Sequence, residues 1–163
     1  MKKAFFNLII FPTAFFIFSC NSNKKTIWVY DIEHDLTTEQ INKLDSLFKS
    51  HEKITSNEIA LVTTSDYGTD TSIAEFGKNF GKKYGVGKKV KNNGVVIVFS
   101  RAKKETNIST GYGTEIVLTN KSAKTIIDSF MIPEFKHANF YEGILNGSKA
   151  IIEILEKPGN RIN

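Results

Sequence analysis

The sequence predicts an α/β fold, namely a three-layer α/β/α sandwich with a central mixed sheet of about four strands and about four flanking helices. Two observations predict it. First, Ile59–Val62 and Val95–Phe99 are continuous runs of mostly branched apolar residues, which is typical of strands buried on both faces. Second, the segments around these runs repeat apolar residues at helical spacing. Buried strands alternating with amphipathic helices form layered domains.

The first helix begins near Thr37. Thr37 and Gln40 match a capping box, and Leu36 with Ile41 matches the hydrophobic staple that often accompanies one. From Ile41 an apolar stripe at helical spacing continues through Phe48. These local signals predict a helix that leads into the strand Ile59–Val62.

A second helix follows that strand. Its apolar residues run from Ile73 to Tyr84, Asp70 or Ser72 caps its start, and Gly85 ends it. The strand–helix–strand unit is expected to form a right-handed crossover. The remaining elements are a strand at Asn107–Thr110 that forms a hairpin with Val95–Phe99, a helix capped by Thr119 or Asn120 and ended by Pro133, and a helix from about Asn139 to Glu156.

The N-terminus has the three parts of an export signal. Lys2 and Lys3 give a positive start, Ala4–Phe18 is mostly apolar, and a polar segment follows Cys20. As a helix, Ala4–Phe18 would span about 22 Å, which is short of the ~30 Å hydrocarbon core of a bilayer. The segment therefore predicts a processed signal and not a retained membrane helix.

Ile17-Phe18-Ser19-Cys20 resembles a bacterial lipobox, in which the cysteine thiol is acylated and becomes the first mature residue. The alternative is an ordinary signal peptide with an incidental cysteine. Because no acidic cluster follows Cys20, we expect a membrane-anchored lipoprotein that faces the periplasm. The expected organisation is a signal peptide at 1–19, the lipidated cysteine and a polar tether at 20–26, one domain at 27–157 and a tail at 158–163.

Composition excludes several classes of function. A single cysteine excludes an intrachain disulfide and a cysteine-clustered metal site. Lys2 and Lys3 carry two of the +5 net charges, and the remaining +3 is too mild to suggest nucleic acid as a partner. Five lysines surround Gly85-Val86-Gly87, which favours a solvated loop; contact with anionic lipid near the anchor is the open alternative.

Three short motifs occur in order: Gly85-Val86-Gly87, Asn93-Gly94 and Gly111-Tyr112-Gly113. Together they resemble the TPM-domain family, which includes thylakoid-lumen acid phosphatase-like proteins and many exported bacterial proteins. The resemblance covers nearly all of residues 27–155 and implies an α/β/α sandwich. For function it implies acid phosphatase activity, calcium binding or an accessory role for membrane complexes. Many members have acidic residues where this chain has Asn93, Ser100 and Asn120, which argues against cation binding and carboxylate-based hydrolysis.

The candidate metal ligands are Asp31, Asp66, Asn93, Glu115 and Asn120. Ca²⁺, the cofactor this set would take, needs six to eight oxygen ligands and usually several carboxylates. The alternative is that the aspartates are loop residues that bond their own backbone. The sequence leaves both interpretations open.

The candidate phosphate-binding residues are Arg101, Gly111, Tyr112 and Gly113. Arg101 would clamp a phosphate, and the backbone N–H groups of the glycine motif would form a small anion nest. The alternatives are a solvated arginine and a turn in which the glycines adopt positive φ. A phosphatase would place Asp31, Arg101 and Glu115 around a cation. His34, His51 and His137 share no motif and are expected at or near the surface.

The leading hypothesis is a lipoprotein whose TPM-like domain serves as an accessory or binding module for another envelope component, with little or no catalysis. It reaches the membrane through lipidated Cys20. The alternative is a cation-dependent acid phosphatase that acts on phosphomonoesters.

Overall fold

The computed structural model describes residues 27–160, so the predicted export signal and the predicted lipidation site at Cys20 lie outside the described residues. Its centre is a four-stranded mixed sheet in the order β1-β2-β3-β4. β1, β2 and β3 are parallel, and β4 pairs with β3 in the antiparallel direction. The strands are β1 at Val29–Asp31, β2 at Glu58–Thr63, β3 at Gly94–Ser100 and β4 at Glu105–Thr110.

The two predicted core strands pair directly, with Ile59 opposite Val95. On one face of the sheet, Phe80 joins a small apolar cluster, and on the other face Phe48 belongs to the larger core. The helices are α1 at Thr38–Thr55, α2 at Ile73–Tyr84, α3 at Tyr112–Glu115, α4 at Asn120–Ile126, α5 at Ile132–Lys136 and α6 at Phe140–Glu156. This arrangement confirms the predicted α/β/α sandwich. Over residues 27–160, no helix combines the length and the apolar character needed to cross a membrane.

The starts of the first two helices follow the predicted local chemistry. Thr37 accepts a hydrogen bond from the backbone N–H of Gln40, and the Gln40 side chain accepts one from the N–H of Thr37. Ser72, and not Asp70, caps α2 by accepting from Glu75 N–H. α1 therefore begins at its capping box, as the sequence predicts.

The prediction that Pro133 ends a helix is wrong. α4 continues through a π-helical segment, Ile127–Met131, into α5, and Pro133 lies in the first turn of α5. Proline is tolerated there because its missing N–H is not needed in a first helical turn. The N–H of Ile132 bonds to the carbonyl of Ile127, so the wider π turn accommodates the proline.

Candidate functional site

The parallel strands give the sheet two chemically different edges. Asp31, Thr63 and Ser100 end β1, β2 and β3, and this end is called the carboxyl edge. Glu58 and Gly94 begin β2 and β3 at the opposite end, called the amino edge. At ~3.3 Å per residue, the length of β3 separates the two edges by about 20 Å.

The predicted site residues divide between these two edges. Asp31, Asp66 and Arg101 lie at the carboxyl edge, whereas the amino edge carries Asn93, Glu115, Asn120 and the Gly111-Tyr112-Gly113 motif. The catalytic, metal-binding and phosphate-binding sets each mix residues from both edges, so none of them is assembled as predicted. Within residues 27–160, no three His, Cys, Asp or Glu side chains are grouped so that they could hold a metal ion.

Asp31 is fully engaged in local hydrogen bonds. Its Oδ1 accepts from the Thr63 hydroxyl at 2.6 Å and from Asp35 N–H at 3.1 Å, and its Oδ2 accepts from Leu36 N–H at 3.0 Å. These bonds join the end of β1 to β2 and to the approach to α1. Asp66 likewise accepts from Gly68 N–H at 2.8 Å, which is the backbone-bonding alternative for a loop aspartate.

Two acids that were not singled out in the sequence organise the carboxyl edge. Glu33 accepts from the backbone N–H groups of Arg101 at 2.9 Å and Ala102 at 3.3 Å. The Arg101 guanidinium bonds Asp35 Oδ1 at 3.1 Å, while Asp35 Oδ2 is buried without a partner in the described residues. The alternation of Asp31, Glu33 and Asp35 along the chain was the signal that could have identified them.

A cavity of about 460 Å³ opens beside Arg101 at the carboxyl edge. Phe99, Phe135 and Phe140 form its apolar wall, with ring centres 4.9 Å apart for Phe99–Phe135 and 5.5 Å apart for Phe99–Phe140. The Arg101 guanidinium lies 5.2 Å from the centre of the Phe140 ring. Lys104, Glu105 and Lys136 also line this phenylalanine cavity, so with Arg101 its lining has three cationic side chains and one acidic side chain. Such a site suits a ligand with an apolar part and an anionic group.

At the amino edge, Asn93 is buried and its amide is fully used. Its Nδ2 donates to Ser56 O at 2.8 Å and to Asn57 Oδ1 at 3.0 Å, and its Oδ1 accepts from Lys88 N–H at 2.8 Å. Asn93 therefore joins the loop before β3 to the start of β2. Glu115 accepts from the Asn120 side chain at 3.1 Å, about one strand length from Asp31 and Arg101.

The expected positive-φ turn at Gly111 and Gly113 is wrong, since neither glycine has positive φ. Both are required by close backbone packing: a Cβ on Gly111 would lie 2.2 Å from Asn92 O, and one on Gly113 would lie 2.0 Å from Lys91 O. The N–H of Gly111 donates to Gly94 O, and that of Gly113 donates to Asn92 O. Both N–H groups are thus bonded to backbone and are not directed at an anion.

His51 is also placed differently from expectation. It is fully buried, with Nδ1 2.8 Å from Glu156 Oε1 and Nε2 3.2 Å from the Thr55 hydroxyl. These contacts join the ends of α1 and α6. His34 and His137 are exposed, as expected.

The environment of Tyr67 leads us to expect that the free energy of unfolding decreases at alkaline pH. Burial and a 3.0 Å hydrogen bond to Glu105 raise the pKa of Tyr67 to about 12. An unfolded tyrosine ionises near pH 10. Unfolding is therefore favoured as the pH rises from about 10 to 12, by up to about 2 kcal/mol. Urea titrations at several pH values should show a shallower decline for Tyr67→Phe; an equal decline would contradict this assignment.

Comparisons with known proteins identify the family. The TPM domain matches residues 29–154. The N-terminal domain of a P. gingivalis protein has 26% identity and a TM-score of 0.76, covering 86% of this chain and 89% of its own. The BA42 protein of Bizionia argentinensis shares the fold at 21% identity and a TM-score of 0.66. The match covers 81% of this chain and 92% of the BA42 chain. The N-terminal domain of the cg2496 protein from Corynebacterium glutamicum shares the fold at 9% identity and a TM-score of 0.62. The match covers 90% of this chain and 86% of the cg2496 domain.

A search among curated proteins finds no match. The domain match spans most of the chain, and the solved structures described above share its fold. The chain belongs to the TPM-domain family.

Proposed function

We propose that this protein is a membrane-anchored, periplasm-facing lipoprotein whose TPM domain binds another envelope component. The phenylalanine cavity is its recognition site. The observation that carries this proposal is the contrast at the carboxyl edge. The cavity is open and combines aromatic side chains with cations, whereas the adjacent Asp31 carboxylate is occupied by three structural hydrogen bonds.

The cavity defines the chemistry of the partner. An apolar side chain that enters it would contact Phe99, Phe135 and Phe140, and its burial would contribute about 2 kcal/mol. Arg101 is exposed and bonds Asp35 through one guanidinium nitrogen. Its remaining donors are suited to a carboxylate. The partner is therefore a protein segment with an apolar side chain beside an acidic one.

The proposed anchor holds this binding domain at the membrane. Support comes from the export signal and from Ile17-Phe18-Ser19-Cys20, which resembles a lipobox. Six residues, 21–26, separate Cys20 from the described domain, and six residues reach at most about 20 Å. The domain would therefore remain close to the lipid surface.

Photo-crosslinking of the full-length protein in its own cells tests this function. A photoreactive side chain at Ile132, which lines the cavity, should give an adduct of one defined mass. Arg101→Glu should weaken that adduct, because a carboxylate repels an acidic partner. The same side chain at Lys149, exposed on α6, is the matched control and should give no such adduct. Equal labelling from both positions, or none from position 132, would contradict the proposal.

A cation-dependent acid phosphatase acting on phosphomonoesters is the second candidate. The observation that favours it is Asp35 Oδ2, which is buried without a partner in the described residues, while Oδ1 of the same carboxylate bonds Arg101. The free oxygen would contact a cation such as Ca²⁺, and Arg101 would contact the phosphate. This arrangement uses Asp35 and Arg101. It does not use Asp31, whose carboxylate is engaged in hydrogen bonds, or Glu115, which lies at the opposite edge.

Calcium binding can be tested apart from hydrolysis. If the second candidate is correct, millimolar Ca²⁺ should raise the midpoint of thermal unfolding, because a ligand bound to the native state stabilises it. Asp35→Asn should remove that rise, and Asp70→Asn, in an exposed segment, is the matched control. An unchanged midpoint in the wild-type protein would reject the calcium site.

A further inference from the structure

A separate surface lies at the amino edge, far from the phenylalanine cavity. Val90, Tyr112 and Ile116 are 94%, 84% and 79% exposed. They lie on segments bonded to each other, since Gly111 N–H donates to Gly94 O and Gly113 N–H donates to Asn92 O. We call Val90, Tyr112, Ile116 and the lysines Lys82, Lys83 and Lys89 the amino-edge face.

The amino-edge face is strongly basic. Residues 82–91 contain five lysines and no acidic residue. Lys82 and Lys83 are in the last turn of α2, and Lys89 is exposed next to Val90. Lys88 of the same loop bonds Glu58 and Glu52, which raise its pKa, so these three side chains together carry a net charge of −1. Glu115 lines the same surface pocket as Lys82, Lys89 and Tyr112, so the three lysines of the face exceed this acidic side chain by two charges.

The chain enters the domain beside this face. Trp28 precedes β1, and its Nε1 donates to Glu52 Oε2 at 3.2 Å. Lys88 binds the other oxygen of the same carboxylate at 2.9 Å. Because the tether 21–26 reaches at most about 20 Å, an anchor at Cys20 would hold the amino edge nearer the bilayer than the carboxyl edge.

We propose that the amino-edge face docks on an anionic lipid bilayer. Val90 and Tyr112 enter the interfacial region, and the lysines contact the lipid phosphates. The orientation relative to the anchor rests on the proposed lipidation of Cys20. The docked domain would direct the phenylalanine cavity away from the membrane, towards an envelope partner.

Vesicle binding by residues 21–163 tests the face without the anchor. This segment has no cysteine and contains both hydrophobic clusters described above, so it carries the whole core. It should bind phosphatidylcholine vesicles that contain phosphatidylglycerol and not vesicles of phosphatidylcholine alone. Combining Lys82→Gln, Lys83→Gln and Lys89→Gln should lower the partition coefficient about 100-fold, since each lysine at an anionic surface contributes roughly fivefold.

A matched control separates local docking from net charge. Lys43→Gln, Lys103→Gln and Lys149→Gln remove the same charge from exposed positions that line neither the phenylalanine cavity nor the amino-edge face, and they should leave binding nearly unchanged. An equal loss in both triple variants, or no binding by the wild-type segment, would overturn the proposal. Self-association without vesicles that the first triple variant abolishes would assign the face to a second copy instead.

The depth of the contact can be measured directly. An environment-sensitive fluorophore on Val90→Cys should shift to the blue with anionic vesicles, whereas one on Ile32→Cys, exposed beyond β1 at the carboxyl edge, should not. Equal shifts at both positions, or none at position 90, would contradict the docked orientation. The segment carries no lipid, so these outcomes do not depend on whether Cys20 is acylated.

Discussion

Replacement of Gly113 by alanine is expected to lower the free energy of unfolding by about 3 kcal/mol or more. The new Cβ would lie 2.0 Å from the backbone oxygen of Lys91. That oxygen belongs to the loop that pairs with α3 through Gly113 N–H and Asn92 O, so it cannot move without breaking this bond. Urea denaturation of the purified variant would measure the loss.

Gly68→Ala is the control for backbone conformation. Gly68 has a φ of +60° and nothing within 4 Å of an added Cβ, so only strain contributes, about 1 to 2 kcal/mol. Gly113 has no positive φ, and its larger loss would come from the collision alone. A Gly113→Ala protein as stable as the wild type would mean that α3 does not lie against the loop 91–94. The amino-edge face would then lack its geometry.

Replacement of Cys20 by serine is expected to release the protein from the membrane. A serine hydroxyl is not acylated at a lipobox, and each buried CH₂ of an acyl chain contributes about 0.8 kcal/mol to membrane binding. A protein without these acyl chains would therefore be found in the soluble fraction. Fractionation after a high-salt wash measures this step, because salt screens any remaining attraction between the lysines and lipid.

Ser19→Ala is the matched control for Cys20→Ser. It keeps a small residue before the cysteine and should leave the protein lipidated and at the membrane. Mass spectrometry of the mature chain identifies the acyl chains independently. A Cys20→Ser protein that stays in the salt-washed membrane fraction would contradict the proposed anchor.

The core of the fold was predictable because its signals are local. Continuous apolar runs identify β2 and β3, and the Thr37–Gln40 capping box places the start of α1. β1 and α3 were missing from the predicted order because three or four residues are too few to show a periodicity. Pro133 was misinterpreted because the π-helical turn before it depends on tertiary packing.

The candidate site was only partly predictable. Arg101 directly follows β3, whereas Asn93 precedes it, so strand direction could have assigned these two residues to opposite edges. Glu115 follows β4, whose antiparallel course returns the chain to the amino edge. The phenylalanine cavity could not be predicted, because its rings come from distant segments and meet only after packing.

Binding and not hydrolysis at the carboxyl edge is the central claim, and a phosphomonoester assay tests it most directly. The assay would compare purified residues 21–163 with the Arg101→Gln variant, with and without Ca²⁺ or Mg²⁺. Arg101 is suited to this comparison because its side chain is exposed, whereas loss of Asp31 would disturb β1 and α1. The account predicts the same background rate for both proteins. Cation-dependent turnover that Arg101→Gln abolishes would contradict it.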